Sequence, residues 1–246
     1  MSDLWNWNRN IPDFNTFIII GTVNSLYGNL SHDLRFQHTV EAIDSVHRKA
    51  PGSKILYVDN SSIPLKQEWV DIITPKVDLF RQMPHNLFSM IANLPALEQK
   101  SQSEFNMLDY AFNVLRQNPQ MIGKRIFKQS GRYALQDTFD LSQYDDPTFK
   151  GKYTFVPKLH WLTHDGWVTQ RKVLFLEQAL ISFDPVLLDD LQALLPGMLN
   201  FSLKTNLCIE EVMGHFIDRD KVVLLESAHV LGLKADSTPE NPNYGS

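Results

Sequence analysis

The chain has 246 residues, a single cysteine (Cys208) and a formal net charge of −5. One cysteine excludes an internal disulfide framework, and a mildly acidic chain without a long basic cluster does not read as a general binder of nucleic acid or anionic membrane. No apolar run reaches the roughly 20 residues that cross a bilayer, and the opening residues lack the basic-then-apolar layout of a secretion signal, so the expected location is cytoplasmic. The length suits one domain over residues 1–236, with a tail at 237–246 marked by Pro239 and Pro242.

Thr16 to Ile20 is a β-branched and aromatic run ending at Gly21, which predicts a strand buried on both faces. A loop of small and polar residues follows. Phe36, Val40, Ile43 and Val46 keep helical spacing from about Asp33 to Lys49, and Pro51-Gly52 ends that helix. Lys54 to Val58 is a second strand, closed by Asp59-Asn60-Ser61-Ser62. A right-handed crossover then brings the loops after both strands to one sheet edge. Ile63 to Val70 reads as a short helix, Asp71 to Thr74 as a third strand, and Pro75 to Pro95 as irregular. Leu97 to Leu115 is a helix with Phe105, Leu108, Ala111, Phe112 and Leu115 on one face. Lys124 to Gln129 is a strand leading into Ser130-Gly131-Arg132-Tyr133. Tyr153–Leu162 and Lys172–Ile181 read as an antiparallel pair, Leu187–Leu195 and Leu207–Ile217 as helices, and Val222–Leu225 as a last strand. The expected architecture is α/β: an open, mostly parallel twisted sheet with a Rossmann-like βαβ start, a late antiparallel part and helices on both faces.

In such sheets ligands bind beyond the carboxyl ends of the strands. The backbone N–H groups of Thr22, Val23 and Asn24 can hold a nucleotide there, although the loop is no G-x-G-x-x-G fingerprint and argues against a dinucleotide enzyme. Asp59 can accept from a base or ribose and Asn60 can read a base edge; both are equally at home in turns and caps. Lys128-Gln129-Ser130-Gly131-Arg132-Tyr133 is the most suggestive segment. Glycine permits close backbone approach, Arg132 offers the planar donor fork that suits phosphate oxygens, and Lys128 adds a second charge. Tyr133 either stacks on a ring or packs in the core. Arg35, at the start of the first long helix, is in reach of a phosphate at the same edge, or simply lies on a solvated face. Glu210 and Glu211 sit on a late amphipathic helix, where one carboxylate can border a cleft and take a proton from a hydroxyl. The histidines are scattered and show no zinc-site spacing.

Three patches together resemble a group of GT-A-fold glycosyltransferase-like proteins of bacteria, large viruses and phages. The first is Arg35-Phe36-Gln37-His38-Thr39-Val40-Glu41-Ala42-Ile43-Asp44-Ser45-Val46, running on to Asp59-Asn60-Ser61; the second is Phe127-Lys128-Gln129-Ser130-Gly131-Arg132-Tyr133-Ala134-Leu135, similar to a Lys-x-Ser-Gly-Arg-Tyr-x-Leu pattern; the third is Ile209-Glu210. The resemblance implies transfer of a sugar from a nucleotide-sugar donor to a hydroxyl acceptor such as a carbohydrate. It implies a nucleotide-binding part over about residues 14–135 and an acceptor-side part over about 136–236. Thr22, Val23, Asn24, Asp59 and Asn60 would surround the nucleoside, and Arg35, Lys100, Lys128 and Arg132 the diphosphate. Glu210 would be the catalytic base, with Tyr133 and Glu211 near the sugar or acceptor. Many GT-A enzymes hold a divalent metal with an Asp-x-Asp motif after a central strand. Ser130-Gly131-Arg132 stands in that place here, so a fixed positive charge is expected to replace the cation, and no metal or other cofactor is predicted. The alternatives are a nucleotide- or glycan-binding protein without catalysis and a nucleotidyltransferase, which would need metal-binding carboxylates. A methyltransferase is disfavoured by the first loop.

Overall fold

Phe17, Ile18, Ile19 and Ile20 are all buried, because β1 (Asn15–Gly21) runs through the interior of a sheet covered on both sides. The structure, a computed structural model, describes residues 12–25, 30–84, 96–164, 167–176, 179–205, 207–227 and 229–232. α1 (His32–Lys49) follows β1, and Ser31 caps it by accepting the Leu34 N–H at 3.2 Å. Gly52, at φ 79°, turns the chain out of that helix into β2 (Lys54–Asp59).

The third strand differs from expectation. Residues 71–74 belong to α2 (Gln67–Ile73) and the short turn after it, and β3 is Leu79–Gln82, paired parallel with β2. The β-branched local sequence loses to packing at helical spacing: Trp69 and Ile73 are buried four residues apart, Trp69 stacks on Phe36 at 5.0 Å, and Ile72 is turned outward. α3 (Ala96–Gln117) then crosses the sheet to β4 (Arg125–Ser130), which pairs parallel with β1 on the side away from β2.

β5 (Tyr133–Leu135) is a short strand not expected from the sequence. The two strands expected between 153 and 181 are four. β6 (Tyr153–Phe155) and β9 (Leu180–Phe183) join the main sheet, while β7 (Pro157–His164) and β8 (Trp167–Leu176) form a separate antiparallel ribbon. Pro157 marks the break, since proline cannot donate to a ladder and is confined to strand starts and edges. α4 (Leu188–Thr205), α5 (Ile209–Phe216), β10 (Val222–Leu224) and β11 (Val230–Gly232) complete the described chain. The expected tail at 237–246 lies outside the described residues.

Among the described residues the main sheet has seven strands in the order β10-β6-β9-β4-β1-β2-β3. α1 covers one face, where Ile43 and Val46 meet Phe17, Ile19, Tyr57 and Phe127. α3, α4 and α5 cover the other, where Leu108, Phe112, Leu191 and Val212 meet Ile18, Ile20 and Ile126. The chain leaves β1 in one direction, through α1 to β2, and returns on the opposite face through α3 to β4. Strand order therefore reverses between β1 and β4, and the connections at their carboxyl ends part to opposite faces. That topological switch point is where open α/β sheets form a crevice. No described helix is long and apolar enough to cross a membrane.

Candidate functional site

Register sets the strand ends at one edge: Gly21 pairs with Asp59, Ile20 with Ser130, and Asp59 with Gln82. The loops after β1 and β2 are laced together there. The Asp59 carboxylate accepts from the Val23 N–H (3.2 Å), the Tyr57 hydroxyl (2.9 Å) and the Ser61 N–H (2.8 Å), and Asp59 is fully buried. Burial pushes its pKa above the ordinary carboxylate value, and hydrogen bonding by the Ser61 side chain, together with these donors, pulls the other way. Tyr57, equally buried, has its phenol pushed well up by burial and then by the charge of Asp59, while a bond with Thr39 opposes this.

Asn24 is likewise engaged within the protein. Its N–H donates to Ser61 Oγ at 2.9 Å and its amide Nδ2 to the Pro64 carbonyl at 3.1 Å. Asn60 donates its N–H to the Gly21 carbonyl at 2.9 Å and its side-chain amide to Ser103 Oγ of α3 at 2.6 Å. Asp59, Asn24 and Asn60 thus stand at the strand ends where the sequence suggested a nucleoside contact, and these hydrogen bonds shape the loops. Val23 is buried, and Thr22 presents its carbonyl to Arg35 Nη1 at 3.5 Å.

The turn after β4 is drawn onto β1: the Gly131 N–H donates to the Ile20 carbonyl at 2.7 Å. A Cβ at Gly131 would stand 3.2 Å from that carbonyl oxygen and 3.4 Å from Gly21 Cα, so the close approach favours glycine. This contact carries Arg132 to the switch point. Arg35 arrives there from the first turn of α1, is itself buried, and donates from Nε to the Leu30 carbonyl at 3.3 Å. Burial first, and the charge of Arg132 second, lower the Arg35 pKa to about 10, which leaves it cationic at neutral pH. His38, one helical turn on, responds to the same surroundings. Burial, then Arg132, then Arg35 hold its imidazole below the usual histidine value.

The other expected site residues divide. Lys128 is fully buried on the α3 face of the sheet, with Nζ 4.0 Å from Glu104 Oε1, away from α1 and its arginine. Lys100 lies in α3 with its side chain outside the described residues. Tyr133 is buried in the apolar cluster with Phe127 and Leu135, the core-packing alternative of the two the sequence offered for it. Glu211 is a capping residue: its carboxylate accepts the Cys208 N–H at 3.0 Å and the Cys208 thiol at 3.1 Å. Glu210 lies beside it, half-buried at the start of α5, and its carboxylate also bears on the Cys208 thiol. Burial, then the Glu210 charge, push that thiol far up, so Cys208 stays neutral.

His38 is not among the site residues expected from the sequence. Its spacing of three from Arg35 was the available signal, since residues i and i+3 share a helix face. Ser61 and Ser103, which fasten the loops, carried no sequence signal because serine is common in any polar turn.

A divalent ion after β4 would need oxygen ligands. The residues there are Ser130, Gly131 and Arg132, and a guanidinium repels a cation, so this donor set does not fit a metal. Among the described residues no group of three or more histidine, cysteine, aspartate or glutamate side chains comes together.

No protein-family model matches the chain, and no curated protein matches it. Solved structures do. A galactosyltransferase, LgtC, in complex with donor and acceptor sugar analogues, has a TM-score of 0.52 at 10% identity, over 85% of this chain and 72% of that one. The mannosyltransferase Ktr4p from S. cerevisiae has 0.52 at 9% identity, over 90% and 73%. A 4-diphosphocytidyl-2C-methyl-D-erythritol synthase has 0.53 at 9% identity, over 94% and 95%. At such identities the likeness concerns architecture: the chain has the α/β fold of GT-A-like transferases.

Proposed function

We propose that this chain is a glycosyltransferase that moves a sugar from a nucleotide-sugar donor to a hydroxyl acceptor without a divalent metal. The observation that carries the reading is that Arg35, bonded to the Thr22 carbonyl, and the turn bearing Arg132, drawn onto the Ile20 carbonyl through Gly131, both stand at the β1/β4 switch point of a GT-A-like sheet. Two guanidinium groups in a partly water-excluded crevice favour a diphosphate, and most of all the additional charge that develops on it as the sugar departs. In the transfer, a bond forms between the acceptor oxygen and the anomeric carbon. The bond from that carbon to the diphosphate breaks, its electron pair going to the diphosphate oxygen. The acceptor proton passes to a carboxylate, for which Glu210 is the candidate. The loops held by Asp59, Asn24 and Asn60 would frame the nucleoside, with Asp59 acting through loop geometry.

A nucleotidyltransferase reading is favoured by one observation, the synthase likeness that spans 94% of this chain and 95% of the other. It is disfavoured by the arginine where metal-binding carboxylates would serve a triphosphate. A thermal-shift screen against UDP-, GDP-, CMP- and dTDP-sugars, followed by a turnover assay with the stabilising donor, separates the readings. A ligand at a hundred times its Kd stabilises the folded state by about 2.7 kcal/mol. Stabilisation by one sugar nucleotide, with nucleoside diphosphate released in EDTA, is the expected result. Stabilisation without turnover on any acceptor leaves a binding protein. Activity only with a nucleoside triphosphate and metal contradicts the proposal.

A further inference from the structure

Lys128 is a charge in the middle of the sheet. It lies on β4 two residues before the strand ends, beside Ile18 of β1, and its side chain is 1% exposed. An ammonium there is costly unless opposite charge and hydrogen bonds compensate it. Glu104 of α3 supplies a carboxylate, with Oε1 4.0 Å from Lys128 Nζ. The lysine is closed off, whereas the Glu104 side chain keeps 20% of its surface open. Topology puts that surface at the crevice. The chain after α3 is fastened to the amino end of β1, where Thr16 donates to the Met121 carbonyl at 2.6 Å. α3 therefore runs against the strands, and its first turns stand at their carboxyl ends. Ser103, next to Glu104, is held there by the Asn60 side chain after β2 at 2.6 Å. α1 begins at the same edge on the opposite face, with Arg35 in its first turn. The chain beyond Arg132 joins that side, since the Leu135 N–H donates to Ser45 Oγ of α1 at 2.9 Å. The two walls of the crevice thus differ in sign: arginine on the α1 side, carboxylate on the α3 side.

We propose that Glu104 recognises the transferred sugar, accepting hydrogen bonds from its hydroxyl groups and selecting uncharged sugars over uronic acids. This rests on the reading of Arg35 and Arg132 as the diphosphate site. A carboxylate accepts through two oxygens and donates through neither, so it suits hydroxyl groups. One oxygen faced by Lys128 still leaves acceptor capacity for the ligand. Lys128 is a positioning residue: its ammonium keeps the carboxylate from turning out into water. A phosphate or a sugar carboxylate set against Glu104 would instead meet a like charge, which is strongly disfavoured away from bulk water. The division of charge therefore sets the direction of the donor, diphosphate against the α1 wall and sugar against the α3 wall. α5, which carries Glu210, covers the same face of the sheet as α3. A sugar turned this way presents its anomeric carbon on the side from which the candidate base comes.

Calorimetric titration of UDP, GDP, CDP and dTDP into the full chain identifies the diphosphate that binds most tightly. That diphosphate is then compared with its hexosyl and hexuronosyl esters (UDP-glucose and UDP-glucuronate in the case of UDP). Wild type is expected to bind the hexosyl ester more tightly than the hexuronosyl ester. Glu104→Gln is expected to leave the affinity for free diphosphate unchanged, to weaken the hexosyl ester roughly 10-fold or more, and to narrow the preference over the uronate. Lys128→Met should weaken the hexosyl ester in the same selective way, whereas a lysine that only supports the fold would alter diphosphate and ester alike. The double variant Glu104→Gln/Lys128→Met removes both charges together and serves if Glu104→Gln fails to fold. A hexosyl ester affinity unchanged by these variants, an equal loss on diphosphate and ester, or a uronate bound as tightly as the hexose by wild type overturns the role of Glu104 while leaving the arginine site standing. Absence of binding by all four diphosphates overturns both.

Discussion

Arg35, on the first turn of α1, reaches the Thr22 carbonyl after β1 with its Nη1 at 3.5 Å, and Arg132 follows Gly131, whose N–H donates to the Ile20 carbonyl of the same strand at 2.7 Å, so both arginines belong to one end of the sheet and the charge of Arg132 adds to burial in lowering the Arg35 pKa. Like charges held together by the fold favour an anion between them. Arg132→Ala is therefore expected to leave the fold intact, since Arg132 is only partly buried, and to weaken nucleoside diphosphate binding roughly 10- to 100-fold. That range corresponds to about 1.5–3 kcal/mol for hydrogen bonds to a charged group. Arg132→Lys should recover part of the loss, because it keeps the charge without the fork. Calorimetry on the three proteins checks this; equal affinities remove Arg132 from the site.

His38 also makes a prediction about stability in the absence of ligand. Its folded pKa lies below the ordinary value of 6.5, so the unfolded chain binds the proton more readily. Its contribution to stability is present in full above pH 6.5 and is lost as pH falls through the depressed folded value. Denaturant midpoints measured from pH 7.5 to 5 should fall more steeply for wild type than for His38→Gln. Parallel slopes would contradict the assignment.

Tyr57→Phe removes one of the donors to Asp59 and leaves the buried carboxylate with the Ser61 side chain and the Val23 and Ser61 N–H groups. The expected cost is about 1 kcal/mol, a fall in Tm of roughly 2–4 °C for a chain of this size. Donor affinity should fall as well, because the Asp59 bonds hold the first two loops in register. A variant that loses stability but binds unchanged would separate the loop network from the site.

Much of the scaffold was legible in the sequence, for reasons that differ by element. The run Phe17–Ile20 has no plausible place except between two covered faces, and Phe105, Leu108, Phe112 and Leu115 mark a helix face directly. The 71–74 segment misled because β-branched residues favour strands locally, whereas Trp69 packing on Phe36 decides the helix. β5 and β11 pair at Tyr133↔Gly232 and Ala134↔Leu231, a contact between distant parts of the chain that no local pattern encodes. The proposed site rests on Arg35 and Arg132, whose donor chemistry near strand ends can be read from the sequence, whereas their common position at one end of the sheet depends on the fold. An aromatic ring and a carboxylate serve a core or a cap as readily as a ligand, and only packing shows that Tyr133 lies in the core and Glu211 caps α5.

Gly123 tests how the sheet begins. A Cβ there would lie 2.1 Å from the Phe14 carbonyl oxygen, which also accepts the Lys124 N–H at 2.7 Å, while the Gly123 N–H donates to Thr16 Oγ1 at 2.8 Å. Backbone atoms cannot yield as a side-chain tip can. Gly123→Ala should lose about 1–3 kcal/mol or more by overpacking, read as a lower denaturant midpoint with unchanged slope. A variant as stable as wild type would show that the β1–β4 start is not held this tightly.

The most direct test of the account is titration of the nucleoside diphosphate that stabilises the chain, in EDTA and again with Mn²⁺, for wild type and Arg132→Ala. Arginines taking the part of a metal predict tight binding in EDTA, little change on adding Mn²⁺, and a large loss in the variant. Binding that appears only with Mn²⁺ and is indifferent to Arg132→Ala would contradict it.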